Sequence, residues 1–345
     1  MKRIPREPER FEVLELFSSL GLKHGFSLGD QKSENRFIRT IAQSFSATSK
    51  NPIILYGRRV QAMFGYVAAS LGRASLVKEE DVGELYARDP DIRAPDFFVV
   101  LETGSSFLVE VKNCHQDPIK PYVFKSSYLD SLAKYAHLVG HPLRIAIYWS
   151  RENMWTLISL ERLPRRNGHG VLNMLDAMKI NEMADLGDLQ VATTPPLTWR
   201  VLTDPTQPRK VDSSGEVVFA IGDFEFYCGN RRIEDEQERN LAFYFMLYGD
   251  WEEEGEPEAY IENGNLIHFD FVVSHPAPTG GQQFEILGSL SGMISRRFKD
   301  LTAPEATIER LVPSAEPGSL GIVIPKDYKG ERLPLWRFTL KPNYD

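Results

Sequence analysis

The chain is poor in cysteine: Cys114 and Cys228 are the only two in 345 residues. Two isolated cysteines make neither a disulfide framework nor the paired spacing of a zinc site, and a reducing cytoplasm is the expected home. Long apolar runs are missing too. None approaches the roughly 18 residues that mark a membrane-spanning helix, so no membrane partner is expected. The opening "MKRIPREPERFEV" carries charge with no apolar stretch behind it, which argues against a secretory signal. There is no Walker loop, no dinucleotide fingerprint and no Ser-His-Asp spacing. Internal repeats and long low-complexity tracts are also absent.

What is present suits a globular protein: 42% apolar and 26% charged residues, with length for two domains. The net charge of −8 hides an asymmetry. Residues 1–180 carry 25 Lys and Arg against 20 Asp and Glu, while residues 181–345 carry 15 against 28. The first half is the better candidate for contact with a polyanion, although ordinary surface variation gives the same imbalance.

Periodicity sets out the elements. "PERFEVLELFSSLG" places Phe11, Leu14, Leu16, Phe17 and Leu20 at helical spacing, with Gly21 as the stop. "SENRFIRTIAQSF" repeats the pattern behind a Ser33 cap, and Val60, Phe64, Val67 and Leu71 predict a third helix ended by Gly72. "FFVVL", a turn at "ETGSS", and "FLVEVKN" read as a hairpin. In its second strand Phe107, Val109 and Val111 point one way and Leu108, Glu110 and Lys112 the other. "FKSSYLDSLAKYAHLVG" predicts a helix with a stripe of Tyr128, Leu132, Tyr135 and Val139, and "LRIAIYW" a buried strand reached by a parallel crossover. "MWTLISLERL" adds a further strand. Residues 161–215 are rich in breakers around one helix near 171–183. Beyond them lie strands in "EVVFAIGDFEFYCG", a helix in "IEDEQERNLAFYFMLYG", an Asn-Gly hairpin in "AYIENGNLIHFDFVV", a helix in "QQFEILGSLSGMISRRFKDL", and closing strands "GIVIP" and "WRFTL". The expected organisation is a helical extension over 1–50, an α/β domain over 51–185 and an α+β domain over 186–345.

The hairpin raises the functional question. Pro95-Asp96 opens its first strand and Glu110-Val111-Lys112 closes its second. Phosphodiester hydrolysis needs a divalent cation to offset charge on the scissile phosphate and to lower the pKa of a bound water. Hard cations take oxygen ligands, commonly one or two carboxylates with water. A lysine beside them can orient the water or stabilise the developing charge. Paired strands bring Asp96 near Glu110, with Lys112 on the same face. The bland alternative is a solvent-facing charge pair, but Leu108 on that face argues for burial.

This pattern resembles the motif of the PD-(D/E)XK nuclease superfamily over roughly residues 52–160. The resemblance implies a restriction-endonuclease-like mixed β-sheet flanked by helices, followed by a second α+β domain. It also implies Asp96 and Glu110 as ligands of Mg²⁺ (Mn²⁺ as substitute), with the Val111 carbonyl beside them and Lys112 serving the water. The implied activity is a DNA endonuclease leaving a 5′-phosphate, in restriction or antiviral defence; RNA is the less expected substrate. The alternative is a non-catalytic module of the same fold that binds nucleic acid or scaffolds a complex.

One departure stands out. Many members of that superfamily carry a glutamate on the preceding helix, where "GRRVQAMF" offers Gln61. Glu79, Glu80 or Glu84 is a candidate substitute, although each reads more readily as a solvated surface acid. Arg58, Arg59, Lys125, Tyr128 and Lys134 are candidate nucleic-acid contacts, with solvated helix faces or core as the bland readings. Cys114-His115 suggests a thiol or metal site only if the motif is set aside. A homodimer is expected, because cutting two strands benefits from two sites related by a twofold axis. The acidic C-terminal half is left for self-association, a protein partner or a cover for the cleft.

Overall fold

The computed structural model describes residues 1–3, 12–80 and 85–343. Three helices come first: α1 (Glu12–His24), α2 (Gln31–Thr48) and α3 (Pro52–Ser70). Then follow β1 (Ala74–Glu79), β2 (Phe97–Leu101), β3 (Ser106–Cys114), β4 (Tyr122–Phe124), α4 (Ser126–Val139), β5 (Leu143–Trp149) and β6 (Met154–Ser159). A connecting region holds β7 (Arg165–Arg166), β8 (His169–Leu172) and α5 (Met174–Lys179). The remainder contains β9 (Gln190–Thr193), β10 (Leu197–Thr203), β11 (Ile221–Cys228), β12 (Arg231–Ile233) and α6 (Glu236–Tyr248). It closes with β13 (Glu252–Glu253), β14 (Glu258–Glu262), β15 (Asn265–Ser274), β16 (Glu285–Ser289), α7 (Leu290–Thr302) and β17 (Leu335–Phe338).

The first sheet runs β1-β2-β3-β5-β6. Only β3 and β5 pair in parallel, through the α4 crossover, so the sheet is mixed, with helices on both faces. Phe107, Val109 and Val111 pack under α3 with Phe64 and Val67, and Ile294 and Phe298 of α7 enter the same core. On the opposite face Leu108 packs with Leu132 and Tyr135 of α4. The alternation along β3 therefore meets two separate cores. The larger downstream sheet runs β12-β11-β10-β15-β13, with β14 also on β15, and α6 packs against it. Its hairpin turns at Asn263 and Gly264, both at positive φ (49° and 75°), as the Asn-Gly pair predicts.

Local chemistry moved several boundaries. Helix α1 passes through Gly21 and stops at His24, where Gly25 takes φ +69°. The cap of α2 is Asp30 and not Ser33: Asp30 accepts from the backbone N–H groups of Lys32 and Ser33, and Ser33 Oγ donates to it at 2.7 Å. The stretch 282–301 is not one helix. Ser289 caps α7 by accepting from Gly292 N at 3.0 Å, and Glu285–Ser289 pairs with β9 as a strand. "GIVIP" pairs with nothing and forms no strand. Most of the span 171–183 outside α5 is likewise not helical. Phe11 and Glu84 lie outside the described residues.

Candidate active site

The register of the β2–β3 pair builds the site. Phe97 sits opposite Val109 and Phe98 opposite Leu108. One step before Phe97, Asp96 therefore faces Glu110. Its Oδ2 accepts the backbone N–H of Val111 at 2.7 Å, which fixes the carboxylate against β3. Glu110 is 4% exposed. Its Oε1 accepts from both Lys112 Nζ and the Tyr128 hydroxyl, so both bonds fall on one oxygen. Lys112 also donates to the Tyr128 oxygen at 2.6 Å, and its ammonium lies 4.8 Å from the centre of that ring. Burial first, then the charge of Glu110 and the bond to it, push the Tyr128 hydroxyl above its ordinary pKa. Tyr128 is thus held as a proton donor to the buried carboxylate.

Beside this group lies a cleft of about 950 Å³, bounded by α3, the ends of β3 and β5, and the last turn of α7. Asp96, Val111 and Lys112 line it; Glu110 lies behind Lys112 and does not. Asp96 is the one carboxylate among the described lining residues, against Arg58, Arg59, Lys112 and Lys299. In a chain of net charge −8, that concentration of cations is local and focused.

The other predicted contacts divide. Gln61 lines the cleft and accepts from Arg58 at 3.0 Å. Arg59 lines it too, but its guanidinium is committed to α7: Nε donates to Thr302 Oγ1 at 3.0 Å and NH2 to the Lys299 carbonyl at 3.2 Å. Lys125 is exposed at the start of α4 and does not line the cleft. Lys134 pairs with Asp89 at 2.7 Å, away from it. Glu80 accepts from Lys78 at 2.9 Å and from Tyr135 at 2.7 Å and is not among the cleft residues. Glu79 is exposed on β1, also outside the lining. Cys114 is 1% exposed, and burial raises its pKa, which suits core packing and not nucleophilic chemistry.

Sequence reasoning did not single out Tyr122, Tyr148, Asn113, Ser150 or Lys299, all of which line the cleft. Asn113 lies in the last two residues of β3 and Ser150 directly follows β5, so the ends of the predicted strands were a usable signal. Lys299 carried none, because α7 reaches the cleft only through tertiary packing on α3.

Asp96 and the buried Glu110 stand in register across the strand pair, and carboxylate oxygens are the donors a hard cation takes. Among the described residues no group of three or more His, Cys, Asp or Glu side chains is placed to hold a metal. A cation at Asp96 and Glu110 would therefore keep water in its remaining positions, as Mg²⁺ does.

No family model and no curated protein matches the chain. One solved structure with similarity is Hjc, a Holliday junction resolvase from Archaeoglobus fulgidus, an archaeal hyperthermophile. It is 16% identical over 28% of this chain and 73% of that chain, with a TM-score of 0.23. A likeness of that size does not establish a shared fold. No described helix is long and apolar enough to cross a membrane.

Proposed function

We propose that the protein is a Mg²⁺-dependent endonuclease of the PD-(D/E)XK type acting on DNA. The observation that carries this reading is the placement of Asp96 opposite Glu110 with Lys112 on the same strand, at the wall of a cation-rich cleft. A bound divalent cation would supply charge neutralisation at the phosphate and a more acidic water. Asp96 and Glu110 are the residues that would hold it, with Val111 beside them. Lys112 is tethered by Glu110 and Tyr128, so its ammonium is fixed at the cleft wall, where it can orient water or meet charge developing on the phosphate. Tyr128 keeps Glu110 in place by donating to it. Arg58, on the wall of the cleft, suits a flanking phosphate. A homodimer would supply two such clefts for the two strands of a duplex, and light scattering at micromolar concentration tests it: a monomer removes that part of the reading.

The experiment is incubation with plasmid, linear duplex and single-stranded DNA and with RNA, each with Mg²⁺, Mn²⁺ or EDTA. Cleavage with either metal and none with EDTA is expected. The burial of Glu110 and the uncharged Gln61 favour a second reading, a binding module that does not cut. Binding without cleavage under every metal condition would select it.

A further inference from the structure

The last turn of α7 brings Lys299 to the cleft wall from the far end of the chain. Its ammonium is half-buried, donates to Asn153 Oδ1 at 3.0 Å and lies 5.2 Å from the centre of the Tyr148 ring. Among the described residues no carboxylate stands within ion-pair distance of it. Its cationic neighbours are otherwise engaged. Arg296 holds Asp250 at 2.5 Å and the Tyr248 carbonyl at 2.7 Å, and Arg59 is bonded to α7. Burial first, then Arg296 and Arg59, lower the Lys299 pKa to about 8, with Asp300 opposing. Keeping an ammonium in such a place is unfavourable without an anion, and a methionine of similar length would fill the same space without that penalty. The two bonds from Arg59 hold the turn that presents Lys299 against α3.

We infer that Lys299 binds a non-reacting backbone phosphate of the nucleic acid, so that the C-terminal half completes the nuclease cleft. This rests on the nuclease reading of that cleft. The acidic second half thereby acquires a direct part in substrate binding through one inward-facing cation, despite its repulsive surface.

The test is fluorescence anisotropy with a labelled duplex oligonucleotide in EDTA, as a function of salt. Lys299→Met should weaken binding on the order of tenfold at low salt and make the slope of log K against log salt shallower by about one. Lys299→Arg should restore both. Between pH 7 and 9 wild-type binding should weaken as Lys299 loses its proton, while the arginine variant stays flat. The groups facing Lys299 in that range are Arg59, Arg296, Asp300 and Tyr148. In case the methionine variant misfolds, Lys299 in the wild type can be acylated with a succinimidyl ester and followed by mass spectrometry, and bound duplex should slow that reaction. Unchanged affinity and slope in a folded Lys299→Met, or acylation indifferent to duplex, overturns the assignment alone, provided Asp96→Asn still abolishes cleavage. A wild type that binds no nucleic acid overturns the nuclease reading with it.

Discussion

Two sheets in this molecule carry the same short chain of side chains, and the chain in the first of them borders the cleft of about 950 Å³. In the first sheet Lys112 donates to the Tyr128 oxygen, and Tyr128 donates to Glu110. In the second, Arg200 donates to the Tyr227 oxygen at 3.3 Å, and Tyr227 donates to Glu225 at 2.6 Å. The surroundings differ. Arg200 grips Asp270 with two bonds of 2.8 Å, and Arg232 pairs with Glu225 at 2.9 Å, so Asp270 and Glu225 each have an arginine. In the first sheet both bonds to Glu110 share one oxygen, a second carboxylate stands opposite across the strand pair, and Lys112 lines the cleft. A cation–tyrosine–carboxylate chain is thus not a site by itself. In the first sheet a carboxylate, Asp96, stands opposite the one the tyrosine serves, where the second sheet has Arg200 opposite Glu225, and the cleft leaves room for a substrate.

Substituting the two carboxylates should disturb the first sheet's site most. Asp96→Asn keeps an acceptor for the Val111 N–H, and Glu110→Gln keeps one for Tyr128, so both should fold. Each should lower cleavage by about 10³-fold or more through loss of the cation's ligand, measured as initial rates on supercoiled plasmid. Lys112→Ala should follow with a loss on the order of 10²–10³, the usual effect of removing one charge-stabilising group. Tyr128→Phe leaves Glu110 with one donor fewer. A fall of about tenfold in rate and about 1 kcal/mol in stability is expected, read by kinetics and by urea melts on the same preparation.

Smaller effects sharpen the contrast. Gln61→Glu adds a carboxylate to the cleft wall and should leave the Mg²⁺ rate within about threefold while shifting the preference between Mg²⁺ and Mn²⁺. A silent result would show that α3 faces the metal less closely than its lining of the cleft suggests. In the second sheet, Asp270→Ala should cost about 1 kcal/mol of stability, since the pair is partly exposed, and leave cleavage unchanged. A cleavage defect there would erase the distinction between the two chains.

How much of this the sequence made legible follows from the range of each interaction. The alternation along β3 was readable because strand period and burial on two faces are local properties, and they placed Glu110 and Lys112 on one side. The hairpin turn at "ETGSS" set the register that brings Asp96 across from Glu110. Tyr128 was visible as one member of a helical stripe and as a candidate phosphate contact, not as a partner of Glu110. Its hydroxyl meets Glu110 because α4 crosses back over β3, which periodicity does not encode. Arg59 looked like an exposed helix-start cation, yet α7 turns it into a tether. The strand at Glu285–Ser289 was hidden inside a helical pattern, since pairing with β9 and the Ser289 cap decide it. Lys299 was illegible for the same reason: its place depends on the packing of α7 against α3.

Calorimetric titration of Mn²⁺ asks whether Asp96 and Glu110 together hold a divalent cation beside the cleft. The wild type should bind Mn²⁺ at millimolar concentration or below, and both Asp96→Asn and Glu110→Gln should lose that binding while keeping the wild-type melting temperature within a few degrees. Wild-type protein that binds no metal at millimolar Mn²⁺, or folded variants that bind it as the wild type does, would contradict the account.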